Sequence, residues 1–99
     1  MRRVIWSRSA SEDLNELVAW IAQDSEPNAG LVLDRIERVA ANLSDAAIGR
    51  FGRVEDTYEI VVPRTPYIIA YAKTDETIMI LRVIHGARDW REGGWPADD

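Results

Sequence analysis

The sequence predicts an α+β fold in which a helical hairpin covers one face of a mostly antiparallel four-stranded sheet, in the order β-α-α-β-β-β. Three observations predict it. Apolar residues recur twice at helical spacing between residues 9 and 45, with a proline-containing break between the two runs. From residue 57 onward the period changes to β-rich stretches separated by four-residue turns. The length, 99 residues with 46% apolar and 29% charged side chains, supports one core and one domain.

Residues 3–6 read as a short strand. Ser9 begins the first helix, with Glu12 three residues on completing a capping box. Leu14, Leu17, Val18 and Ile21 form one buried stripe, while Glu12, Asp13, Asn15, Glu16 and Gln23 belong to the solvent face. Ser25-Glu26-Pro27-Asn28 ends that helix and starts a second, with Pro27 in its first turn. Val32, Ile36, Val39, Ala40 and Leu43 repeat the helical period, so residues 9–45 form an αα-hairpin. Residues 48–53 are a glycine-punctuated loop. Strands follow at 57–62, 67–72 and 77–84, joined by Pro63-Arg64-Thr65-Pro66 and Lys73-Thr74-Asp75-Glu76. The whole of 1–99 reads as a single domain, with a core at 1–84 and a charged tail at 85–99.

The last strands do not alternate as a sheet with one wet face should. In the last strand Met79, Leu81 and Val83 share one parity, and Ile78, Ile80 and Ile84 share the other with Arg82. The middle strand is apolar at both parities. One helical hairpin covers one face, so the second face needs a partner, a second copy, or the tail. This places Ile78, Ile80, Ile84 and Arg82 on a partner-facing surface. Arg82 there meets a partner carboxylate, or else an internal one, Glu59.

Composition narrows the chemistry. The net charge is −5, and residues 10–46 hold eight acids against two arginines. Such a chain is repelled by nucleic-acid backbones, so direct DNA binding is not expected. Without cysteine there is no disulfide scaffold, thiol nucleophile or thiolate metal site. A single histidine, His85, and scattered carboxylates match no metal-ligand spacing, and no cofactor fingerprint is present. The opening Met1-Arg2-Arg3 leads into three apolar residues only, too few for a signal-peptide core or membrane span, which implies the cytoplasm. His85, at a strand end, is a structural residue or a general base. Arg50, Arg53 and Arg64 lie in or beside loops, and Arg88, Trp90, Arg91 and Trp95 form an aromatic-basic segment suited to a protein contact.

Ile48-Gly49-Arg50, Pro66-Tyr67-Ile68-Ile69-Ala70-Tyr71 and Ile80-Leu81-Arg82-Val83-Ile84-His85-Gly86-Ala87-Arg88-Asp89 together resemble the ParE/RelE toxins of bacterial type II toxin–antitoxin modules. The resemblance runs from Val4 to Trp90 and implies the same β-α-α-β-β-β order. It also implies a cognate antitoxin that wraps the toxin as a hetero-oligomer, with Arg50, Arg53, Arg64, Ile78, Ile80, Arg82 and Ile84 as its contacts. RelE-like members cleave mRNA on the ribosome and typically carry an arginine directly after the middle-strand tyrosine, where this chain has Ile68. A second arginine shortly after their last strand is matched by Gly86, and they are generally basic. The resemblance is therefore closer to the ParE branch, which acts on DNA gyrase without cleaving RNA. It implies no catalytic residue, and Arg88, Trp90, Arg91 and Trp95 as target contacts. The alternatives are a RelE-like endoribonuclease using His85, Tyr67 and Arg82, or a family member that only binds.

Overall fold

The computed structural model describes residues 1–86. In chain order its elements are β1 (Arg3–Trp6), α1 (Arg8–Ala22), α2 (Glu26–Asn42), β2 (Arg50–Phe51), β3 (Tyr58–Val61), β4 (Tyr67–Lys73) and β5 (Thr77–His85). The five strands form one sheet in the order β1-β5-β4-β3-β2. β1 runs parallel to β5, and every other pair is antiparallel. The α+β class and the helical hairpin match the sequence expectation, with one strand more than expected. That strand, β2, lies in the stretch read as a loop. Two residues are too few to show a period, and Arg50 and Phe51 are strand because they pair with Glu59 and Tyr58.

α1 starts two residues earlier than the capping box at Ser9 implies. Its N-cap is Ser7, whose hydroxyl accepts a hydrogen bond from the Ala10 N–H at 3.0 Å. Ser7 is fully buried where the chain leaves β1, and a cap there satisfies a helix N–H that water cannot reach. α2 is capped by Ser25, with Pro27 in its first turn as the sequence requires. Leu17 of α1 and Val32, Ile36, Ala40 and Leu43 of the α2 segment pack on Tyr67, Ile69, Tyr71, Ile78, Ile80 and Val83 of the sheet. Ile36 is fully buried in this layer, where truncation to alanine costs about 2–5 kcal/mol.

The missing alternation in β5 has a geometric cause. The register shifts between Ala70 and Tyr71, so that Ala70 faces Arg82 while Tyr71 faces Ile80. Leu81 is the extra residue of a bulge, and the inward parity changes across it. Ile78 and Ile80 point under the helices before it, Val83 after it. Ile78 and Ile80 are therefore core residues with no exposed surface, which corrects their expected place on a partner-facing side. Ile84 does lie on the opposite face, where it forms a small buried cluster with Ile68 and Ala70.

Candidate functional site

β1 ends with Trp6 opposite Ile80, and β5 continues for five more residues. Along this edge side chains do what a neighbouring strand would do. The Ser7 N–H donates to the Ile80 carbonyl at 2.9 Å, and the Ser7 hydroxyl donates to the Leu81 carbonyl at 2.9 Å. Asp13, on α1, accepts the Val83 N–H at 3.0 Å. The same carboxylate receives Arg82 through both oxygens, at 2.7 Å from Nε and 3.0 Å from Nη2. This two-pronged contact raises the Arg82 pKa further above its ordinary value, against the opposing effect of partial burial. Asp13 thus belongs to a clasp between helix and sheet, not to the solvent face. Within the chain the carboxylate that meets Arg82 is Asp13, whereas Glu59 pairs with Arg50 and Arg53.

The clasp forms one wall of a cavity of about 410 Å³ between α1 and the far end of β4 and β5. Asp13, Glu16 and Trp20 line it from the helix, and Tyr67, Val83 and His85 from the sheet. Tyr67 and His85 are register partners, with their rings edge-to-face at 5.7 Å and 82°. Trp20 is 67% exposed at the rim. Among the described residues no lysine or arginine lines this cavity, and with Asp13 paired to Arg82 it is the Glu16 carboxylate that favours a cation over a phosphate.

A second polar centre lies at the opposite edge of the sheet. Glu59 is 2% exposed, and its carboxylate accepts the Arg53 N–H at 2.7 Å and Arg50 Nη2 at 3.3 Å, with Arg53 Nε at 3.8 Å. One buried acid thereby holds the 50–53 segment in place. Gly49 enters this segment at φ 143°, where a Cβ would come within 2.7 Å of the Glu59 carbonyl. Phe51, 85% exposed, stacks on Tyr58, which stacks on Tyr71. Burial, then the nearby Tyr58, pushes the Tyr71 pKa up, and its hydroxyl donates to the Ile48 carbonyl at 2.5 Å.

The structure thus joins His85 to Tyr67 and separates both from Arg50 and Arg53. Arg82 is tied to Asp13, and Arg64 is an exposed turn residue at φ 64°. Arg88, Trp90, Arg91 and Trp95 lie outside the described residues. At position 86 a side chain would start 3.3 Å from Ile68 Cδ1 and 3.4 Å from the Pro66 carbonyl, so an arginine there needs only a small shift of the Ile68 side-chain tip. Sequence reasoning missed the groove formed by Glu16 and Trp20. Its only signal was their four-residue spacing with Asp13 one turn earlier. No group of three or more metal-ligating side chains occurs among the described residues, and no helix there is long and apolar enough to cross a membrane.

Residues 4–90 match the family model described as the ParE toxin of the type II toxin–antitoxin system parDE. The chain is 34% identical over 90 residues to the protein named Putative toxin Y4kP of Sinorhizobium fredii (strain NBRC 101917 / NGR234), covering 90% of this chain and 93% of that one. Its fold is similar to a solved chain of the "Chromosomal ParDE TA system from P. aeruginosa", with a TM-score of 0.78 at 21% identity over 86% of this chain and 96% of the other. A family match over nearly the whole length, a related toxin and a shared fold agree, and the chain belongs to the ParE toxin family of type II toxin–antitoxin systems.

Proposed function

We propose that this toxin inhibits DNA gyrase through a contact surface, without RNA cleavage, and is neutralised in the cytoplasm by a cognate antitoxin. One observation carries the choice of target. The cavity that holds His85 and Tyr67 is walled by Asp13 and Glu16, with Arg82 committed to Asp13. A ribonuclease must gather cations around a phosphodiester whose charge grows in the transition state. Among its described lining residues this cavity has no lysine or arginine, and it offers the Glu16 carboxylate beside an Asp13 already neutralised by Arg82. The ParE membership supports gyrase as the alternative target, and the ParDE neighbour supports an antitoxin as partner. In this reading the exposed Arg50, Arg53 and Arg64 meet the antitoxin, and Arg88, Trp90, Arg91 and Trp95 meet the target.

The test follows two signals after expression of the toxin without antitoxin: cleavage of mRNA on ribosomes, and the DNA-damage response to poisoned gyrase. The expected result is the second without the first, with His85→Ala as toxic as the parent. Purified toxin should also block supercoiling by gyrase, and Trp90→Ala with Trp95→Ala should relieve the block. Rapid transcript cleavage, abolished by His85→Ala, would overturn the proposal.

A further inference from the structure

The same groove has a chemistry of its own, independent of which target the toxin strikes. Its strand edge is occupied as far as the Val83 N–H, because Ser7 and Asp13 take the Leu81 carbonyl and that N–H. An incoming segment gains little there by adding as a strand, and must insert side chains instead. Asp13 is neutralised by Arg82, whose charge Glu16 also favours from further off, but Glu16 is exposed and makes no hydrogen bond or ion pair among the described residues. One helical turn on, Trp20 presents an exposed indole to the same cavity. An aromatic face beside a carboxylate is an environment for a desolvating cation. The surrounding field has the same preference, with residues 10–46 carrying six more negative than positive charges. A cavity of about 410 Å³ is large enough to enclose one long side chain and its flanking apolar neighbours.

We propose that this groove docks an arginine or lysine presented by a basic segment of a partner protein, with Glu16 as counter-ion and Trp20 as the cation-binding face. The probe is a fluorescein-labelled, capped ten-residue peptide of alanine and leucine carrying three arginines, titrated into the full chain and followed by anisotropy. The same peptide with citrulline in place of arginine has nearly the same shape and no charge. The arginine peptide is expected to bind about ten-fold more tightly than the citrulline peptide. Glu16→Gln and Trp20→Ala should each weaken it about three- to five-fold, within the range of exposed cation–π and charge contacts, and leave the citrulline peptide unchanged. Glu37→Gln removes the same charge from an exposed position on α2 and should change binding less than about two-fold. Equal losses in Glu37→Gln would reduce the effect to net charge and overturn the proposal. Equal binding of the citrulline peptide would overturn it as well. Tighter probe binding after Arg88→Gln with Arg91→Gln would make the chain's own arginines the occupant, and that too would overturn the partner assignment. Far-UV circular dichroism of each variant checks the fold, and both substituted groove residues are exposed.

Discussion

Removing the Asp13 carboxylate is the most informative single perturbation of this fold. Asp13→Ala takes away both hydrogen bonds to Arg82 and the acceptor of the Val83 N–H. The Arg82 and Asp13 side chains are 24% and 15% exposed, so the pair is sheltered but not sealed. Breaking a fully buried pair costs about 3–5 kcal/mol, whereas an exposed one is worth about 0–1 kcal/mol. An intermediate cost of about 2 kcal/mol fits this degree of shelter. Val83 is 4% exposed, and leaving its N–H unpaired adds about 1–2 kcal/mol. The expected total is about 3–4 kcal/mol, a large share of the roughly 5–15 kcal/mol that holds a domain of this size. Asp13→Asn keeps an acceptor for Val83 and should lose only about half as much. Urea unfolding followed by tryptophan fluorescence and circular dichroism measures both, with an unchanged slope indicating a pure stability change. A double-mutant cycle with Arg82→Ala should return a coupling of about 1–2 kcal/mol. If Asp13→Ala unfolds within 0.5 kcal/mol of the parent, on the scale of an ordinary surface substitution, the clasp contributes nothing and the reasoning is wrong.

Two further outcomes follow from the opposite edge of the sheet. Tyr71 has a raised pKa, so folding favours its neutral form, and its contribution is complete below the ordinary value of 10.0 and lost as pH rises through the folded one. Stability should therefore fall at strongly alkaline pH, and Tyr71→Phe should blunt that fall while costing about 1 kcal/mol at neutral pH, read from melts across pH 7–11. Gly49→Ala must fit a Cβ within 2.7 Å of the Glu59 carbonyl at φ 143°, and should lose about 2 kcal/mol or more, whereas Gly30→Ala, with open space on α2, should be neutral or stabilising in the same melt.

The helical layer was legible because its signal is repeated. Leu14, Leu17, Val18 and Ile21, then Val32, Ile36, Val39, Ala40 and Leu43, each span several turns, and all of them are buried or half-buried on the sheet. The start of α1 was less legible. Ser7 and Ser9 are equal candidates for a cap by residue type, and the choice depends on where β1 lets go of β5, a tertiary fact. β5 failed for a related reason. Reading Ile78 to Ile84 by parity assumes an unbroken pleat, and the single bulge at Leu81 exchanges the two faces halfway along. The bulge explains why Ile78, Ile80 and Val83 all point under the helices, while Ile84 still joins Ile68 and Ala70 on the other face, which stays apolar there.

The candidate site was hidden by a different limit. Hydropathy assigned Asp13, Glu16 and Gln23 to the wet side of α1, and for Glu16 and Gln23 that is correct. It cannot register that this wet side runs beside a strand edge, where Asp13 stops being a solvated charge and becomes a structural acceptor. Once Asp13 is committed, its neighbour one turn on is left as the charge that faces the cavity, with Trp20 beside it. The sign of that charge discriminates between functions better than the identity of His85 does. A histidine at a strand end serves a nuclease and a binding protein equally well, but a phosphodiester brought to Glu16 meets a like charge, a repulsion that solvent and salt reduce at this exposed site without reversing its sign. The same repulsion becomes attraction for an arginine or lysine. With Asp13 paired, it is the Glu16 carboxylate in the groove of the lone histidine that favours a protein partner over an RNA substrate there.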